Sequence, residues 1–193
     1  MKEKLAVTAH AAHTFVHPAF DLVNSNHGVG LGLPDVLEDE RWLARYVHRW
    51  GFGGARRRRG DTARLRELRV LLRRLVDRLD AGKGLSAADR AELGRFLAGA
   101  HYTRQFPTRG FALELVPEKR DWDWVLAEIA GSFVDYLSDG QDRIKACHNP
   151  DCRFAFYDQT KNRSRRWCDD RTCGNRFKVQ RFRARHRAAR TRG

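Results

Sequence analysis

All four cysteines of this 193-residue chain follow one pattern, Cys147-x4-Cys152-x15-Cys168-x4-Cys173. That spacing restricts what the C-terminal quarter can become. Two close pairs occupy neighbouring vertices of a tetrahedron, and the insert between them turns the chain back, which suits zinc. All four ligands would be thiolates in a closed structural site, and nothing nearby supplies the open position that a catalytic zinc requires. One structural zinc ion is therefore expected on Cys147, Cys152, Cys168 and Cys173. Two disulfides, or an iron–sulfur centre on the same thiolates, are the rival readings. The N-terminal run MKEKLAVTAHAAHTFVHPAF lacks a sustained apolar core, and no apolar stretch approaches the length of a membrane helix. The expected location is the cytoplasm, where clustered cysteines serve as metal ligands rather than disulfides.

The residues between the cysteines give local structure. Asn149-Pro150-Asp151 makes the tight bend of a zinc knuckle, and Phe154 to Tyr157 alternates as a strand. Gln159 to Arg163 is a polar turn, and Arg165-Arg166-Trp167 returns as a second strand. Gly174-Asn175 then opens a helix. Knuckle, β-hairpin and basic helix follow in treble-clef-like order. Phe154, Phe156 and Trp167 are the expected core of this module. So small a core needs the metal, whose binding is worth on the order of 10–16 kcal/mol in zinc-finger peptides.

Upstream, helical spacing dominates. Val36, Leu37, Leu43, Tyr46, Val47 and Trp50 form one stripe after Pro34, stopped by Gly51-Phe52-Gly53-Gly54. Leu65, Leu68, Leu72, Leu75, Val76 and Leu79 form the strongest one. Ser86 and Asp89 set a capping box before Leu93, Phe96 and Leu97. Trp122, Val125, Leu126, Ile129, Phe133 and Leu137 form the last stripe. Phe111 to Val116 alternates as a strand, with Phe111, Leu113 and Leu115 on one side. Phe15-Val16 and Phe20 to Val23 read as short strands or a buried turn. The expected class is α+β: a mainly helical N-terminal domain with a small sheet over residues 1–140, then the zinc module over 144–190.

The string C-x-N-P-D-C-R-x-x-F-Y-D, then R-S-R-R-W-C, then Cys173-Gly174-Asn175-Arg176, closely resembles the CGNR zinc finger over about residues 144–187. In that family the finger follows an N-terminal ABATE domain. Phe20-Asp21-Leu22-Val23-Asn24-Ser25 is similar to the early DFVNT signature of that domain, with Leu22 where Phe is usual. Phe111 to Val116 resembles the strand before its last helix. The resemblance implies a bacterial stress-induced transcriptional regulator, a role that rests on DNA binding by the finger.

Charge leads the same way independently. Residues 147–193 hold fourteen Lys or Arg against four Asp or Glu, so about +10 of the formal net charge of +14 sits there. On a helix, Arg176, Arg183 and Arg187 share one stripe, and Lys178, Arg181 and Arg185 another. Such a helix suits a groove flanked by two phosphate rows, and Arg163, Arg165 and Arg166 could add backbone contacts. Asn175 either reads a base or braces the zinc loop. DNA is the expected partner. RNA is the rival, through Phe154, Phe156, Tyr157 and Trp167 as stacking rings. The N-terminal domain would sense a small-molecule effector or pair subunits into a homodimer. Asp21 and Asn24 either line a ligand pocket or bridge buried backbone groups. No nucleophile elbow or phosphate-binding loop is present. The chain is expected not to be an enzyme; the alternative is an N-terminal enzyme or small-molecule binder carrying a purely structural finger.

Overall fold

The computed structural model describes residues 17–26, 32 and 34–190, with side chains as far as Arg183. Its centre is α3 (Asp61–Asp80), whose Leu65, Leu68, Leu71, Leu72, Leu75 and Val76 are all fully buried. Each such side chain contributes roughly 1.5–3 kcal/mol by leaving water. Around it lie α1 (Pro18–Asn24), α2 (Glu40–Arg49), α4 (Ala87–Leu97) and α5 (Trp122–Gly140). The helices begin where their caps dictate. Ser86 and Asp89 form the reciprocal capping box of α4, and the Asp121 carboxylate caps α5 through the Trp124 amide. Asp39 caps α2, so that helix starts later than Pro34; a short 3-10 turn, Val36–Glu38, precedes it.

The Phe20–Val23 stretch is helix rather than strand. Pro18 occupies its first turn, and Ala19, Phe20, Leu22 and Val23 are all buried. Phe15-Val16 lies outside the described residues. Arg69 of α3 is a buried cation: it donates to both carboxylate oxygens of Asp35, at 2.7 and 2.5 Å. Burial of that pair is compensated by its bidentate geometry. Despite some burial, donation from Arg69 and from the Leu37 amide holds the Asp35 carboxyl far below the usual carboxylate range.

Two antiparallel two-stranded sheets complete the chain. The first pairs β1 (Tyr102–Gln105) with β2 (Glu114–Pro117). The expected strand is thus shorter and later than Phe111 to Val116. Its supposed inner side faces solvent: Phe111 is 94% exposed, Leu113 63% and Leu115 66%. The hairpin extends past the helices, and among the described residues nothing covers those side chains.

The second sheet pairs β3 (Ile144–Ala146) with β4 (Ala155–Tyr157). It stands within the helical core. Ile144, Ala146 and Ala155 belong to the same buried cluster as the leucines of α3 and Phe133 of α5. The other edge of β4 is closed by a side chain. Asn24 at the end of α1 donates to the Ala155 carbonyl at 2.9 Å and accepts from the Ala155 amide at 2.7 Å. Its amide acts as a one-residue strand, satisfying an edge that burial would otherwise leave unpaired.

Replacing Asn24 by Ala leaves both Ala155 backbone groups buried without partners. We expect Asn24→Ala to lose about 2–4 kcal/mol in urea unfolding, well beyond the loss of one exposed hydrogen bond.

Candidate metal centre

The first knuckle is built by Asn149. Its backbone carbonyl accepts from the Cys152 and Arg153 amides at 2.9 and 3.2 Å, and its side chain accepts from the Asp151 amide at 3.1 Å. This folds Cys147 and Cys152 toward each other, with Arg153 taking a left-handed φ of 52°. The Cys147 amide donates to the Phe154 carbonyl at 2.8 Å, carrying the β3–β4 ladder up to the ligand.

The second knuckle is a π-helical turn, Asp170–Gly174, capped by the Asp169 carboxylate on the Thr172 amide at 2.8 Å. At Gly174 the constraint is close contact rather than φ. A Cβ on it would lie 3.2 Å from Trp167 Cδ1 and 3.4 Å from Asp170 Oδ1. Trp167 thus lies against the backbone at Gly174 and packs on Phe177, ring centroids 4.6 Å apart.

These turns bring all four sulfurs within 4.8 Å of one another. Cys168 Sγ lies 3.6 Å from Cys152 Sγ and 3.6 Å from Cys173 Sγ. With Zn–S bonds of about 2.3 Å, a tetrahedral site has edges of about 3.8 Å, so the set fits one zinc ion. Cys147, Cys168 and Cys173 are buried and Cys152 half-buried. Hydrogen bonds from Cys152 and Cys168 pull the Cys147 thiol down to about 2. That partner pushes Cys152 up to about 12 and, together with Cys152, pushes Cys168 higher still. One thiolate is welcome in this volume, whereas four require a cation among them. A zinc ion bound there would supply that charge and hold the two knuckles together. His148 is no ligand: it is exposed, with Nε2 3.7 Å from Asp80.

The loop between the knuckles corrects one expectation. Arg165 to Trp167 is not a strand, and β4 pairs backward with β3 instead. The reason is a buried ion pair. Lys145 Nζ donates to Asp158 Oδ2 at 2.7 Å and to the Arg163 and Arg165 carbonyls. Asp158 in turn accepts from the Thr160 and Arg165 amides, both at 2.9 Å. Backbone groups that a strand ladder would use are taken by these two side chains. Burial alone would raise the Asp158 carboxyl, but donation from Lys145 and Thr160 outweighs it and holds the group well below its ordinary range.

The expected nucleic-acid residues separate into two sets. The Arg165 guanidinium turns inward, donating to the Trp167 and Cys168 carbonyls and lying over Phe156 at 5.2 Å. It braces the ligand loop and is not available to a phosphate. Arg163 is paired with Asp142. Asn175 donates to the Arg171 carbonyl at 3.0 Å, holding the turn beside Cys173. Arg166, Arg176, Lys178 and Arg183 are exposed, and no hydrogen bond or ion pair among the described residues engages their side chains. Arg181 is exposed and lies over Phe177 at 5.9 Å. The Arg185 and Arg187 side chains lie outside the described set.

All of these exposed groups but Arg166 ride on α6 (Asn175–Arg190), which begins directly at the second knuckle. At about 100° per residue, Val179 and Phe182 fall between its two basic stripes. They are 47% and 56% exposed. Charge counting passed over this pair; their three-residue spacing on the side opposite Phe177 was the available signal. Asp21 and Asn24 have bridging contacts: Asp21 accepts from the Trp50 indole at 2.8 Å and from Arg49, and Asn24 closes β4.

Cys168→Ser should reduce bound zinc from one per chain to none, read by metal analysis. The thermal midpoint of the helical core should fall with it, because Ile144, Ala146 and Ala155 are shared. Asp158→Ala should cost about 3–5 kcal/mol in urea unfolding, since Lys145 would be left unpaired in a largely buried position.

Comparison with known families agrees with this architecture. Residues 16–140 match the family model ABATE, described as "Putative stress-induced transcription regulator". Residues 143–186 match the model of the CGNR zinc finger. No protein of curated function matches the chain.

Proposed function

The chain belongs to the ABATE family and carries a CGNR zinc finger, and from that premise we propose that it is a cytoplasmic, DNA-binding transcription regulator. The observation that carries this reading is the basic helix α6, rooted at a zinc ligand and bearing Arg176, Lys178 and Arg183 exposed and uncommitted. Two basic stripes straddling Val179 and Phe182 suit a major groove. Phosphates would meet the arginines and lysine, and thymine methyls the apolar pair. The N-terminal helical domain is the part that would receive a signal or pair subunits. No helix among the described residues is long and apolar enough to cross a membrane.

We assign no catalytic role. Four thiolates close the coordination sphere of zinc and leave no position for a reacting water. The rings that an RNA reading would stack on bases have structural work: Phe156 is buried, and Trp167 is packed between the Gly174 backbone and Phe177.

The test is retention of genomic DNA fragments by the purified, zinc-loaded chain at physiological salt, followed by sequencing. Enrichment of a few related sites supports a sequence-specific regulator. Absent retention, or preferential retention of structured RNA added as competitor, overturns the proposal. Within the bound complex, Arg176→Ala combined with Arg183→Ala should weaken binding to all sequences and flatten the log–log salt slope by about 1.8, roughly 0.9 per phosphate contact.

A further inference from the structure

Among the described residues, the β1–β2 hairpin gathers most of the exposed large apolar side chains that neither zinc nor the DNA reading uses. Register places Tyr102, Arg104, Leu115 and Pro117 on one face, since Tyr102 opposes Pro117 and Arg104 opposes Leu115. Phe106 and Leu113 extend that face toward the tip, and Phe111 stands in the connecting loop. Phe106 is 69% exposed, Phe111 94%, Leu113 63%, Leu115 66% and Tyr102 37%. A two-stranded ribbon is marginally stable in water unless another layer covers it. It meets the helical body at its base, where the Tyr102 hydroxyl donates to Glu128 of α5, and the Glu118 amide closes the ribbon there on the His101 carbonyl at 3.0 Å.

We propose that this face is a homodimer interface, covered by the same hairpin of a second copy of the chain. Three observations point to that occupant. First, size: taking about 200 Å² for a whole large side chain, the five exposed residues offer on the order of 600 Å² per subunit, and strand edges and loop can supply the rest of the roughly 800 Å² per partner that a specific interface needs. Second, chemistry: Arg104 is the one charged side chain on the face. A nucleic acid or an acidic protein would be recognised through charge, and a single arginine among Tyr, Phe and Leu does not offer that. Third, symmetry: a twofold contact requires a patch complementary to itself, which a predominantly apolar field of Tyr, Phe and Leu provides. Pairing here gives the N-terminal domain the subunit-pairing role named above. It is measured without DNA, so its failure leaves the DNA reading untouched and the converse also holds.

The test is the mass of the full zinc-loaded chain in solution, by sedimentation equilibrium over micromolar concentrations. The wild type should run at twice the chain mass of 22.3 kDa. Leu115→Arg should return it to the single-chain mass, with a dissociation constant raised at least about 100-fold. Zinc content and helical content should stay unchanged in the monomer, because Leu115 is exposed within each chain. Phe111→Asp should act in the same direction, and Phe182→Asp on α6 should leave the dimer intact. A wild type that stays monomeric overturns the proposal. So does a dimer that survives Leu115→Arg and Phe111→Asp, or one that dissociates only with Phe182→Asp.

Discussion

The bond pair between Asn24 and Ala155 joins the two ends of the molecule. A zinc module of this size cannot bury enough apolar surface to stand by itself. Here it borrows a core. Ile144, Ala146 and Ala155 sit among the leucines of α3, and the Asn24 amide completes the edge of β4 that the short sheet leaves open. The residue does this from inside the Phe20-to-Ser25 signature, over 130 positions upstream. The two matched families are therefore one packed body at this junction, with the finger's hairpin serving as an inner layer of the helical domain.

Zinc and packing act on different halves of the module. The hairpin and first knuckle are fixed by the helical core and by Asn149. The second knuckle, with Trp167 against Gly174, depends on the sulfurs meeting. Between them, Lys145 and Asp158 replace what would otherwise be strand hydrogen bonds. The motif glycine of Cys173-Gly174-Asn175-Arg176 thus has a steric cause, and Asn175 holds the turn through the Arg171 carbonyl. Of that motif's charge, Arg176 alone is left facing outward.

Features set by short-range rules were legible in the sequence. The cysteine spacing declared the metal site, and the leucines of α3 and the capping box of α4 declared their helices. What was hidden depends on partners distant in sequence. Three-residue strands carry too little periodicity to reveal that β4 pairs back with β3 rather than forward with residues 165–167. Arg165 looks like any other basic residue until the fold turns it onto the Trp167 and Cys168 carbonyls. The alternation of Phe111, Leu113 and Leu115 signalled a strand correctly in kind, but alternation cannot say whether the apolar side meets its own chain. The bridging duties of Asp21 and Asn24 likewise become visible only when Trp50 and Ala155 arrive beside them.

The direct growth of α6 out of the second knuckle makes it a lever. Sixteen residues at 1.5 Å each give an arm of about 24 Å pivoting on Cys173. A tilt of 10° at the pivot sweeps the far end through about 4 Å, more than the length of a hydrogen bond. Angular precision at the zinc site is thereby converted into positional precision at the tip, and slack among the sulfurs would be magnified there rather than absorbed.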